Sequence, residues 1–114
     1  MPRDAAYLPD MLLAAREAIE FAATVEDFCA FRDSRMAQPA TLKAIEIIGE
    51  AASRVSTEFT LAHPDIPWRA IVGMRNRLVH DYAGIDLERV WETAQRDIPR
   101  LIESLAPLVP PDTD

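Results

Sequence analysis

The chain has 114 residues, 12 of them basic and 19 acidic, for a net charge of −7. That balance excludes a nucleic-acid binder working through overall charge, so any RNA must be met by a local cationic patch. With 49% hydrophobic residues and only 3 glycines, the composition also excludes a disordered chain and a turn-dense β fold.

The elements expected in chain order are helical. Leu8, Met11, Leu12, Ala15, Ala18, Ile19 and Ala22 recur at helical spacing and predict a first helix over 5–22, with Pro9 in its first turn or offsetting its start. Thr24 reads as an N-cap, with Asp27 three residues on, before a short helix through Phe28 and Phe31. The one cysteine, Cys29, lies between Phe28 and Ala30 and is expected to pack; alone it makes neither an intrachain disulfide nor a metal cluster. A long helix is expected over 34–57, with Pro39 near its start and Leu42, Ile45, Ile48, Gly49, Ala52 and Val55 on one face. Gly49 and Ala51-Ala52 leave room for a neighbouring helix. Glu46, Glu50 and Arg54 follow at four-residue steps; Glu50 and Arg54 can pair, and the row reads as a solvated face rather than a catalytic carboxylate.

His63-Pro64-Asp65-Ile66-Pro67 breaks the pattern as a linker. Pro67 and Trp68 open a helix reaching Val79, and Ala83-Gly84 breaks the chain again. Asp86 is the expected N-cap of a last helix over 87–105, kinked near Gln95 to Pro99 by the proline inside it. No strand is expected. The fold class is therefore all-α, a bundle of four or five helices forming a single domain over 1–107, with 108–114 a disordered C-terminal tail. Met1-Pro2-Arg3-Asp4 carries no signal-peptide pattern, and no apolar run approaches the ~20 residues of a membrane span. The expectation is a soluble, cytoplasmic protein.

The chemistry concentrates in Gly73-Met74-Arg75-Asn76-Arg77-Leu78-Val79-His80-Asp81-Tyr82. Arg69, Arg75 and Arg77 form a cationic patch with no carboxylate before Asp81. The planar fork of Arg75 matches two phosphate oxygens and could stabilise the charge of a cleavage transition state, or it could sit in a salt bridge. His80 titrates near neutrality and could move a proton to or from a ribose oxygen, or pack and cap. Tyr82 offers a hydroxyl to a phosphate or to nucleotidyl transfer, or packs under the loop. Asn76 and Arg77 could add donors to a phosphate, whereas His63 has no supporting neighbours. On a regular helix Arg75 and His80 lie about 140° apart, so a joint site needs the helix to unwind at His80 or two chains to meet at a symmetric cleft. No metal-ligand spacing and no phosphate-binding glycine loop occurs, so neither metal nor cofactor is expected.

Four segments together carry a resemblance: Tyr7-Leu8-x-x-Met11-Leu12; Leu42-x-x-Ile45-Glu46-Ile47-Ile48-Gly49-Glu50-Ala51; Ile66-Pro67-Trp68-x-x-Ile71-x-Gly73-Met74-Arg75-Asn76; and Leu78-x-His80-Asp81-Tyr82 with Val90-Trp91 after it. Over residues 7–105 the chain resembles the HEPN superfamily, and within it the HepT-like toxins. The resemblance implies a helical homodimer that cuts RNA without a metal ion, with Arg75 and His80 as active-site residues. It implies a type VII-like toxin–antitoxin module, in which an MNT-type nucleotidyltransferase antitoxin neutralises the toxin by AMPylation of Tyr82. RNA is the expected substrate; neither DNA nor a membrane is an expected partner. A non-catalytic dimeric HEPN module that only binds the nucleotidyltransferase is the alternative, and it fits the net charge of −7 better.

Overall fold

The computed structural model describes residues 2–80 and 84–110, with Pro2, Arg3 and His80 described by backbone alone. Five helical stretches appear where the periodicity puts them, three of them subdivided. Helix α1 (Pro2–Ala22) is followed by α2 (Phe28–Asp33), by α3 (Ala37–Ser53) with α4 (Thr57–Ala62), by α5 (Trp68–Val72) with α6 (Met74–Leu78), and by α7 (Leu87–Glu92) with α8 (Ile98–Leu105). A π-helical turn, Thr93–Asp97, joins α7 to α8. It lies immediately before the proline-bearing start of α8, so the expected kink takes the form of a widened turn. No described helix is long and apolar enough to cross a membrane.

The most extensive contact is α1 on α3, with α8 also packed on α1 and α5 also packed on α3. Alanines explain the closeness of the first pair. Ala14, Ala15 and Ala18 of α1 and Ala44, Ala51 and Ala52 of α3 are all buried. Gly49 serves the second contact: a Cβ there would sit 3.2 Å from the Ile71 carbonyl oxygen, so α5 approaches α3 backbone to backbone. Larger side chains close the core, with Met11, Phe31, Ile45, Ile48, Ile98 and Leu105 fully buried. The molecule measures 42 × 34 × 19 Å, and its short dimension is about two helix diameters of 10–12 Å.

Local chemistry moves several boundaries. Helix α1 starts earlier than its apolar pattern does, and Pro9 lies inside it. The turn preceding Pro9 is solvent-facing at Ala5 and Ala6, where water can take the carbonyl left without a donor. Asp4 ties the first turn to the chain before α4: its carboxylate is buried, with Oδ1 accepting from the Ser56 N–H and Oδ2 from the Ser56 hydroxyl, both at 2.8 Å. The same Ser56 Oγ accepts from the Phe59 N–H and caps α4, which is why the helix expected over 34–57 ends at Ser53 and restarts. Asp4→Ala is expected to cost about 2–3 kcal/mol, because it strands two buried donors on Ser56; a chemical-denaturation midpoint unchanged from wild type would contradict this.

The N-cap of α2 is Asp27, which accepts from the Ala30 N–H at 2.9 Å, not Thr24. Thr24 instead donates to the Phe21 carbonyl at the end of α1. Cys29 is exposed rather than packed, because α2 turns Phe31 inward, against Trp91 at 5.2 Å between ring centroids. Trp68 donates its indole N–H to the His63 carbonyl, and Phe59 packs against both rings, so His63 belongs to a brace around the linker. Asp86 caps α7 as expected, accepting from the Arg89 N–H at 3.1 Å. At the other end Leu108 and Val109 are half-buried against the core, and residues 111–114 of the expected tail lie outside the described residues.

One small β element was not expected. Strands β1 (Val79–His80) and β2 (Gly84–Ile85) pair antiparallel, Val79 opposite Ile85 and His80 opposite Gly84. The Asp86 N–H to Leu78 carbonyl bond, 2.8 Å, closes the hairpin at its base. Gly84 has φ +81°, a conformation only glycine adopts without strain.

Candidate functional site

Arg75 stands on α6, a single five-residue turn whose orientation comes from two core anchors, Met74 and Leu78, four residues apart and almost fully buried. Gly73 separates this turn from α5, its backbone near φ −86° and ψ 2° breaking the helix expected to run through it. The break exposes Val72 and leaves Arg75, Asn76 and Arg77 on the surface. The Arg75 Nε donates to Glu46 Oε2 on α3 at 2.6 Å, a charge-assisted bond between residues 29 apart in sequence. The Arg75 side chain keeps 55% of its exposure, and Glu46 keeps 30%.

Around this pair α1 and α3 border a groove of about 670 Å³. Tyr7, Leu13, Lys43, Ile47 and Arg54 also line it. Its charges are mixed: Asp10, Glu17, Glu46 and Glu50 face Lys43, Arg54 and Arg75. Glu50 binds Arg54 through Nε and Nη2, the pairing the four-residue step predicts, and that hydrogen bond and charge push the Arg54 pKa above its usual value. Leu13 and Ile47 are exposed large apolar residues on the same face.

The other candidate residues are distributed as follows. Asn76 is exposed, one position beyond Arg75. Arg77 points elsewhere: its Nη2 donates to the Ala70 carbonyl at 3.1 Å, and it borders cavities formed with α8 and the π turn rather than the Arg75 groove. A two-residue step turns a helix by about 200°, so Arg75 and Arg77 cannot share a face. His80 follows the helix rather than lying on it. Helix α6 ends at Leu78, Val79 is extended (φ −121°, ψ 122°), and His80 is in β1. The helix thus unwinds before His80, the condition a joint site within one chain requires. The His80 side chain, Asp81 and Tyr82 lie outside the described residues. Among the described residues no group of three or more His, Cys, Asp or Glu side chains is placed to hold a metal ion.

Glu46 is the polar neighbour that sequence spacing did not single out. Its row on α3 reads as a solvated face, and only the packing of α6 on α3 brings it to Arg75. The motif tryptophans are structural: Trp68 braces the linker, and Trp91 packs at a tilt against Phe31 beside the fully buried Val90.

A family model described as HepT-like, ribonuclease HepT-like, matches residues 11–108. The chain is 38% identical over 96 residues to "Putative RNase MJ1380" of Methanocaldococcus jannaschii, across 84% of this chain and 87% of that protein. It is 39% identical over 97 residues to "Probable ribonuclease HepT" of Thermococcus cleftensis, across 83% of this chain and 86% of that one. A second Methanocaldococcus jannaschii protein, "Putative RNase MJ0125", is 33% identical over 96 residues, across 84% of this chain and 82% of its own length. No solved structure gives a significant match.

Proposed function

Because the chain belongs to the HepT-like ribonuclease family of the HEPN superfamily, we propose that it is a metal-independent endoribonuclease acting as a cytoplasmic toxin. The observation that carries this reading is the placement of Arg75 at a groove mouth, on a helical turn that unwinds before His80. Arg75 holds the scissile phosphate through its terminal nitrogens and stabilises the charge that accumulates on the equatorial oxygens. His80 takes the proton from the ribose 2′-hydroxyl; the 2′-oxygen bonds to phosphorus while the bond from phosphorus to the 5′-oxygen breaks. A second imidazole, protonated at the start, gives its proton to the departing 5′-oxygen.

One chain has one such histidine, so the second imidazole is His80 of the partner subunit, in a homodimer. Leu13 and Ile47, exposed on the Arg75 face of a thin molecule, support a dimer contact there. RNA is the substrate and Asn76 a further phosphate donor, while the groove location of Arg75 does not extend to Arg77. Residues 1–107 make up the working domain. An MNT-type nucleotidyltransferase antitoxin neutralises it by AMPylation: the Tyr82 hydroxyl attacks the α-phosphorus of ATP, pyrophosphate leaves, and the adenylate brings charge and bulk to the site.

End-group analysis of the cleaved RNA tests the mechanism. The expected fragments carry 2′,3′-cyclic phosphate and 5′-hydroxyl ends; 5′-phosphate ends would mean that water or hydroxide, not the ribose, attacks. The mixed charge of the groove and the net −7 favour a second reading, a non-catalytic dimeric module that binds the nucleotidyltransferase. In that case expression of the chain alone leaves growth unaffected while the partner still binds.

A further inference from the structure

The contact between Glu46 and Arg75 uses one edge of the guanidinium only. Nε donates to Glu46 Oε2, whereas neither terminal nitrogen of Arg75 makes a hydrogen bond with a described residue. The two terminal nitrogens left open form an edge that can pair with two phosphate oxygens. The carboxylate that holds Arg75 is on a rigid support. Ala44, Ile45 and Ile48, on both sides of Glu46 along α3, are buried, and Glu46 is the more sheltered partner of the pair. Its neighbour one turn on, Glu50, is already engaged by Arg54.

We propose that Glu46 is a positioning residue for phosphate binding: it clamps Arg75 by Nε and turns the open edge of the guanidinium into the groove. This rests on the ribonuclease reading above. A long, half-exposed arginine on a five-residue helix samples many rotamers. A fixed acceptor on another helix removes that freedom before RNA arrives, and the gain is realised where geometry is most demanding, in the transition state. Glu46 stands on the Nε side, so its negative charge is across the guanidinium from the bound phosphate rather than beside it. The opposite role would be a latch, with Glu46 competing against RNA for Arg75, and the two roles predict opposite signs.

The test compares Glu46→Ala and Glu46→Gln in the full chain, with thermal melting to establish that both fold. Cleavage of a defined RNA is measured across substrate concentrations. Glu46→Ala is expected to lower kcat about 10- to 100-fold with KM changed no more than about threefold, the signature of lost transition-state geometry rather than lost affinity. Glu46→Gln is expected to restore most of kcat, because its amide oxygen still accepts from Nε. Higher activity or a lower KM in Glu46→Ala would overturn the proposal in favour of a latch. A glutamine variant as poor as alanine would overturn it too.

A second readout needs no activity. The Arg75 Nε–H signal in a 15N NMR spectrum should exchange slowly with water in the wild type and in Glu46→Gln, and rapidly in Glu46→Ala. Equal exchange in the wild type and Glu46→Ala would overturn the clamp. A wild type that cuts no RNA but shows the protected signal would sink the ribonuclease assignment and leave the clamp standing.

Discussion

Arg75→Ala is expected to reduce kcat/KM for RNA by about 10³-fold, close to 4 kcal/mol of transition-state stabilisation. The fold should be indifferent to the change. Arg75 is half exposed, and its pair with Glu46 is of the surface class, worth at most about 1 kcal/mol of stability. Arg75→Lys should recover little of the loss. An ammonium keeps the charge but has neither the Nε that Glu46 holds nor the two parallel donors a phosphate matches. Steady-state cleavage beside a thermal melt checks both statements. A lysine variant with near wild-type activity would show that only the charge matters, and it would remove the geometric role given to the guanidinium.

The second large effect is expected at Tyr82. Wild-type protein treated with ATP and the nucleotidyltransferase should gain one or more adenylate units by intact mass, and its RNA cleavage should fall to the level of Arg75→Ala. Tyr82→Phe should cut RNA normally, gain no mass and remain toxic when the antitoxin is co-expressed. An adenylate phosphate two residues from His80 in sequence would compete for the cation that RNA needs and fill the space a nucleotide would occupy. Modification without loss of cleavage would separate Tyr82 from the active site.

Helix existence was legible in the sequence because burial follows period 3.6. Leu42, Ile45, Ile48 and Ala52 face the core as their spacing says, as do Val90, Ala94, Ile98, Leu101 and Leu105. Boundaries were less legible where one side chain decides them. Asp4 in the first turn of α1 binds Ser56, the cap at which the third helix restarts, across 52 residues, a contact no local pattern reveals. Gly73 falls inside the helix expected to reach Val79, yet it is where α5 and α6 part. A two-residue strand such as Val79–His80 is too short to show alternation, and its partner is specified by hairpin closure instead. The position of Arg75 on a groove could not be inferred from spacing, because Glu46 meets it only through the packing of α6 on α3. The motif itself placed Arg77 beside Arg75 in sequence, whereas the helix sends it to the opposite side.

The most direct test of the central claim is cleavage of total cellular RNA by the purified protein in excess EDTA, beside its His80→Ala variant. The expected result is cleavage by the wild type, undiminished by the chelator, and none by the variant, with both proteins melting alike. Cleavage that survives in His80→Ala, or that EDTA abolishes in the wild type, would contradict a metal-independent ribonuclease built on Arg75 and His80.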